Sequence, residues 1–260
     1  MLGFDARDAR SALNLLSITV RDRYMGSRLG SLWAILNPLL MMIVFIFLFG
    51  FLFKTRVPGA DTTGAYASWM IAGYGPWIAT TEALGAAAVS VLGAASLVKN
   101  IAFKTELLPI AAVFSSAVTL SVALSVLLVL VLAGGGLTWH ALLVVPVVLV
   151  HYLLLTGLGL ALATIAVFFR DIVQVLPNVL MMILLTSPIL YPMQSMPRPL
   201  QVVGLLNPFF IVSSAYRAAL LEHRIPDLGA LSIVAGASLV LVLFALRLFR
   251  RAKGHFEAYL

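Results

Sequence analysis

The sequence predicts an all-α polytopic membrane protein with six transmembrane helices behind an amphipathic interface helix. Three observations point there. First, 62% of the 260 residues are hydrophobic and 10% are charged, with a mean hydropathy of +1.08. A soluble domain carries about 25% charged residues. Second, Leu29–Phe53 and Leu107–Phe169 contain no Asp, Glu, Lys or Arg. At about 1.5 Å per residue the first run can cross a hydrocarbon core of about 30 Å, and the second can cross it twice. Runs this continuous do not alternate as membrane-barrel strands do. Third, basic residues sit at the ends of the runs: Arg21, Arg23 and Arg28 before the first, and Arg247, Arg250, Arg251 and Lys253 after the last. The net charge of +7 therefore sets topology rather than a nucleic-acid surface. There is no Cys, which excludes disulfides and thiolate chemistry. The first 28 residues lack the apolar core and cleavage site of a signal peptide. One membrane domain, 1–260, accounts for the length.

Residues 1–30 hold the interface helix. Ala9, Leu13, Leu16, Val20 and Tyr24 recur at steps of three and four, and Arg7, Arg10, Asn14, Ser17 and Arg21 do so out of phase. The two stripes lie on opposite helix faces. The basic face suits anionic head groups or a soluble partner. Span 1 is expected at about 32–53. Asn37-Pro38 bends its start. Phe45, Phe49 and Phe53 share one face; Phe47 and Phe51 share another. Either stripe could pack on neighbouring helices or line a conduit. A turn-rich loop, 54–66, leads to span 2 at about 66–91. That span holds Glu82, whose charge is costly within a membrane. It is either a site residue or is paired to a hydroxyl such as Thr80 or Thr81.

Ser96–Glu106 is the most polar stretch between spans 2 and 3. A short helix along the membrane face suits it, either as a topogenic loop or as a docking element. Gly134-Gly135-Gly136 breaks the following run into spans 3 and 4, at about 108–133 and 141–168. Gly157 and Gly159 are small-residue packing positions. His140 and His151 have no partner at ligand spacing, so no metal site is expected. Span 5 covers about 173–190. Pro188, Pro192, Pro197 and Pro199 then prevent a continuous helix. Charge parity decides whether 195–225 crosses. With six spans, the basic tail lies on the same side as the basic N-terminal segment; with seven, it lies opposite. Two short helices that dip into the outer leaflet therefore fit 195–225, and span 6 follows at about 228–249.

No G-x-x-x-x-G-K-[ST], H-E-x-x-H or G-x-S-x-G motif occurs, and no catalytic residue is nominated. Active transport by this chain would draw on another subunit or on an ion gradient. Glu82 is the one candidate for gradient coupling.

Five stretches carry a family resemblance, in order: R-D-R-Y-M-G-S-R-L-G-S-L-W-A-I-L-N-P-L (21–39), F-F-R-D-I-V-Q-V-L (168–176), S-P-I-L-Y-P (187–192), L-N-P (206–208) and Y-R-A-A-L-L (216–221). Together they resemble the membrane subunits of ABC-2 type exporters, in the polysaccharide, O-antigen and teichoic-acid branch. The capsule branch matches less well around Tyr24–Asn37. The resemblance implies a homodimer with two cytoplasmic ATPase subunits that hold ATP and Mg, and no cofactor on this chain. It implies export of a lipid-linked glycan through a bacterial inner membrane, with both termini cytoplasmic. Arg7, Arg10, Arg21, Lys99, Asn100, Phe103, Lys104 and Glu106 would face the ATPase. Phe45, Phe49, Phe53, Trp33 and Tyr191 would line a conduit between spans 1 and 5 of two copies. Asn207, Pro208, Tyr216 and Arg217 would form an external gate. Export of capsular polysaccharide, a drug or a small lipid, or ion-coupled carriage through Glu82, are the alternatives.

Overall fold

The structure, a computed structural model, describes residues 6–24, 28–53, 63–100, 103–134 and 136–260; the side chains of 6–9, 22–24, 63, 100 and 257 lie outside that description. Every regular element among the described residues is helical. Helix α1 (Ala6–Tyr24) packs along α5 (Leu107–Ser115). A single 3-10 turn at Gly30–Leu32 leads into α2 (Trp33–Phe45). Gly30 has φ +51°, a left-handed conformation that favours glycine. Helix α2 runs through a buried Pro38 and widens into a π-helical stretch, Ile46–Leu52. There Gly50 lies against Tyr66, where a Cβ would come within 2.9 Å of the ring.

Helix α3 (Thr63–Gly93) is the axis of the bundle. Helices α5, α6 (Ala117–Gly134), α7 (Val144–Phe168), α8 (Asp171–Thr186) and α10 (Pro208–Leu220) all pack on it. Helix α11 (Leu228–Ala252) lies along α7. The short α4 (Ala95–Asn100) follows α3. The expected single span 3 is divided at Ser116. Ser115 and Ser116 donate to the carbonyls of Ala112 and Val113, three residues back, and so compete with the helical ladder. Backbones approach closely where small residues face neighbours. A Cβ on Gly159 would come within 2.6 Å of Val113, one on Gly157 within 2.9 Å of Leu241, and one on Gly75 within 2.7 Å of Ala123.

By length and composition, four helical segments among the described residues can cross a membrane: Gly30–Leu52, Leu107–Gly134, Trp139–Phe168 and Leu228–His255. The pair α9 (Arg198–Leu206) and α10 makes a fifth if its 82° bend is counted within one span. The expected spans 2 and 5 fall short for different reasons. Helix α3 is long enough at 31 residues, but Thr80, Thr81, Glu82 and its glycines lower its apolarity. With helices packed around it, it has little need of a lipid-facing surface. Helix α8 is apolar but 16 residues long.

Two sets of contacts mark the ends of the bundle. At one end Glu106 receives a 3.0 Å hydrogen bond from Arg250 and lies 3.9 Å from Lys253, and Arg170 donates to the Tyr259 carbonyl at 2.9 Å. Phe256 is fully buried there between Phe168 and Phe249. At the other end the Thr138 hydroxyl lies 3.1 Å from His223, joining the α6–α7 turn to the α10–α11 turn.

Candidate functional site

Periodicity puts Tyr74, Trp77, Ile78, Thr81, Glu82 and Gly85 on one face of α3. That face opens onto a cleft of about 890 Å³. Asn37, Pro38, Met41 and Phe45 of α2 form a second wall, and Val173, Leu176, Pro177, Leu180, Met181 and Leu184 of α8 form a third. Thr119 reaches in from α6 and donates its hydroxyl proton to Glu82. The cleft is largely apolar, with a polar strip of Asn37, Thr81, Glu82 and Thr119. Its volume falls in the range of about 300–1,000 Å³ typical of small-molecule sites. Glu82 therefore takes its hydroxyl from Thr119 of another helix, not from Thr80 or Thr81. Thr80 instead bonds Pro76 O and lies 2.9 Å from His151, and Thr81 bonds Ile78 O.

The aromatic stripes separate. Phe45 lines the cleft, 4.5 Å between centroids from Tyr74. Phe49 stacks on Phe45 and packs against the core, while Phe53 is exposed. Phe47 and Phe51 stack on each other on the outward face. Trp33 is exposed at the start of α2, outside the cleft. The Tyr191 hydroxyl donates to the Leu185 carbonyl at the end of α8. Phe45 is thus the one expected conduit residue in the cleft. Tyr74, Trp77 and Thr119 were not singled out from sequence. A lone Thr facing Glu82 across helices is invisible until the helices are packed.

The residues expected in an external gate form a buried corner. Asn207 caps α10 by accepting from Phe209 N at 2.9 Å, and its amide donates to Ser187. Pro208 is the first residue of α10, where its missing N–H costs nothing. Tyr216 is fully buried, its hydroxyl 3.4 Å from His151 Nδ1. Arg217 is 4% exposed; its guanidinium lies 3.6 Å over the Trp69 ring and donates to the carbonyls of Trp69, Pro188 and Ile189. His151 is accounted for by Thr80 and Tyr216. No group of His, Asp and Glu suited to a metal ion occurs among the described residues.

The residues expected to face an ATPase are also split. The side chains of Arg7 and Asn100 lie outside the described set. Arg10, Arg21 and Lys99 are exposed, and Phe103 and Lys104 are half-buried. Glu106 differs: at 2% exposure its carboxylate accepts a hydrogen bond from Arg250 and lies 3.9 Å from Lys253. Arg21 also borders a second cleft of about 810 Å³ between α1, the start of α2 and α6.

The chain is 31% identical over 249 residues to the "O-antigen export system permease protein RfbA" of Myxococcus xanthus, covering 94% of this chain and 93% of that one. It is 23% identical over 253 residues to a protein of the same name from Klebsiella pneumoniae, at 95% and 94% coverage. It is 25% identical over 256 residues to the "Polysialic acid transport protein KpsM" of Escherichia coli, at 93% and 96% coverage. Residues 13–221 match the family described as ABC-2 type transporter, a range that holds the cleft, the buried corner and all five motifs. With residues 13–221 matched and a relative 31% identical over nearly the whole length, the chain belongs to the ABC-2 type transporter membrane family.

Proposed function

We propose that the chain is the membrane permease subunit of an ATP-driven exporter that carries a lipid-linked polysaccharide of the O-antigen type across the bacterial inner membrane. End-to-end similarity to permeases named for O-antigen export carries this reading. In this reading two copies pair, two ATPase subunits bind ATP and Mg from the cytoplasm, and both termini are cytoplasmic. The chain crosses six times, with α3 and α8 completing the set. The paired ends of the bundle support that path. Arg170 before α8 meets the tail after α11 at one end, while His223 before α11 meets Thr138 at the other. Between them α8 accounts for one net crossing, and the bent α9–α10 pair stays near the outer end as the gate. The cleft, walled by α2 and α8, becomes the conduit when a second copy closes it.

The test is complementation. The chain, expressed with its ATPase in a cell lacking its own O-antigen permease, is expected to restore polysaccharide at the cell surface. A complex that assembles and hydrolyses ATP yet delivers none would overturn the reading. Ion-coupled carriage through Glu82 would instead leave export intact when ATP hydrolysis is blocked.

A further inference from the structure

We infer that a separate cavity of about 350 Å³, between α3, α10 and the turn after α8, is a saccharide subsite that holds a sugar ring of the chain as it leaves the conduit. This rests on the exporter reading and adds a contact that the cleft does not supply. The cavity shares no lining residue with the cleft. Two of its lining residues, Glu222 and Arg224, flank His223, whose contact with Thr138 marks the outer end on the six-crossing path. Both are exposed and paired to each other. A charged pair there belongs in water rather than in hydrocarbon, so the cavity opens toward the outer aqueous side.

The lining has the chemistry of a polyhydroxylated ligand. Arg217 commits N–H groups to the carbonyls of Trp69, Pro188 and Ile189, yet a guanidinium has further donors and this one still lines the cavity. Arg224 and the Gln194 amide add donors. The Glu222 carboxylate, the Gln194 carbonyl and the Ser214 oxygen, whose own proton goes to Phe210 O, add acceptors. A sugar hydroxyl both donates and accepts, so one ring can use both sets at once. Its C–H face can lie on the half-buried Trp69 ring. Other occupants match less of this wall. An apolar tail would strip water from the polar groups and replace none of its hydrogen bonds. A lone phosphate or carboxylate would find Arg217 and Arg224 but would also meet the Glu222 carboxylate. Convergent polar groups beside aromatic surface, in a space of about 300–1,000 Å³, are the usual form of a small-molecule site.

The test adds one thiol to the Cys-free chain, in complex with its ATPase. The probe is lipid-free oligosaccharide released from the polysaccharide that this complex delivers to the cell surface. Met193 lines the cavity, whereas Leu137 is exposed at the same end and does not. Maleimide labelling of Met193→Cys is expected to slow about tenfold once the oligosaccharide stands about tenfold above its Kd, and that of Leu137→Cys to stay unchanged. Gln194→Ala with Glu222→Ala removes two exposed side chains, a change that surface positions commonly tolerate. It is expected to raise the concentration needed for protection by at least about tenfold. Saturation-transfer NMR needs no thiol: sugar C–H signals are expected to weaken in the same double variant. Labelling that the sugar does not slow, or protection that survives the double variant, overturns the subsite while leaving the exporter reading in place. If Met193→Cys is inert to maleimide, equal transfer in the wild type and the double variant overturns it. Glycerol phosphate that protects as well as the oligosaccharide assigns the cavity to lipid head groups and overturns it too. A complex that hydrolyses ATP but delivers no polysaccharide overturns both readings.

Discussion

Gly73 is where a single hydrogen atom decides whether Arg217 can reach its partners. A Cβ there would overlap the guanidinium, and Ser213 bonds the Gly73 carbonyl from the same helix as Arg217. Gly73→Ala must therefore push α10 off α3 or eject a charge from a buried place. The expected cost is about 1–3 kcal/mol, read as a lower melting temperature of the purified protein. Gly85→Ala, which meets open space, is the matched control and is expected to melt as the wild type does. The aromatic stripe divides at this scale too. Phe45 and Phe49 both pack against the core, but Phe45 alone also lines the cleft, so Phe45→Ala is expected to slow glycan export more than Phe49→Ala does at matched protein yield. Equal effects of the two on export would remove the distinction. The four-residue spacing of the rings was legible in the sequence. Which ring faces which surface was not, because that is set by the helices packed beside α2 rather than by the spacing within it.

Among the elements, the connection between α4 and α5 shows how local sequence can mislead. Ser96–Glu106 reads as the most polar stretch between spans 2 and 3 and suits the membrane face, yet its last residue is a buried carboxylate. Arg250, from far along the chain, draws Glu106 inward, and only the packing of α11 beside α7 brings the two together. The stretch therefore ends on a residue fastened to a distant helix. Lys104→Glu is expected to weaken co-purification of the ATPase subunit without altering membrane insertion; unchanged co-purification would detach this element from the partner. Glu106→Gln is expected to act differently, by loosening the connection, so that trypsin cuts at Lys99 or Lys104 sooner. Hydrophobic runs and glycine breaks made α2, α6, α7 and α11 legible. Helix α3 was legible as a helix but not as the central one, since centrality comes from what its neighbours bury.

For the whole molecule, the absence of Cys makes the chain a clean background for thiol labelling. In intact cells, His223→Cys is expected to react with a membrane-impermeant maleimide, and Lys253→Cys only after the membrane is opened. Labelling of both from outside would break the six-crossing path. The polarity of α3 carries a consequence for biosynthesis. A segment with Glu82 and two threonines at its middle has little tendency to leave water for lipid by itself. Its polar groups find their partners on later segments, Thr119 on α6 and His151 on α7. On the proposed six-crossing path, α3 is expected to integrate only once those helices have emerged. Lesions at the α3–α7 contact, such as Gly159→Leu, would then surface as failed integration and early degradation rather than as a weakened finished protein.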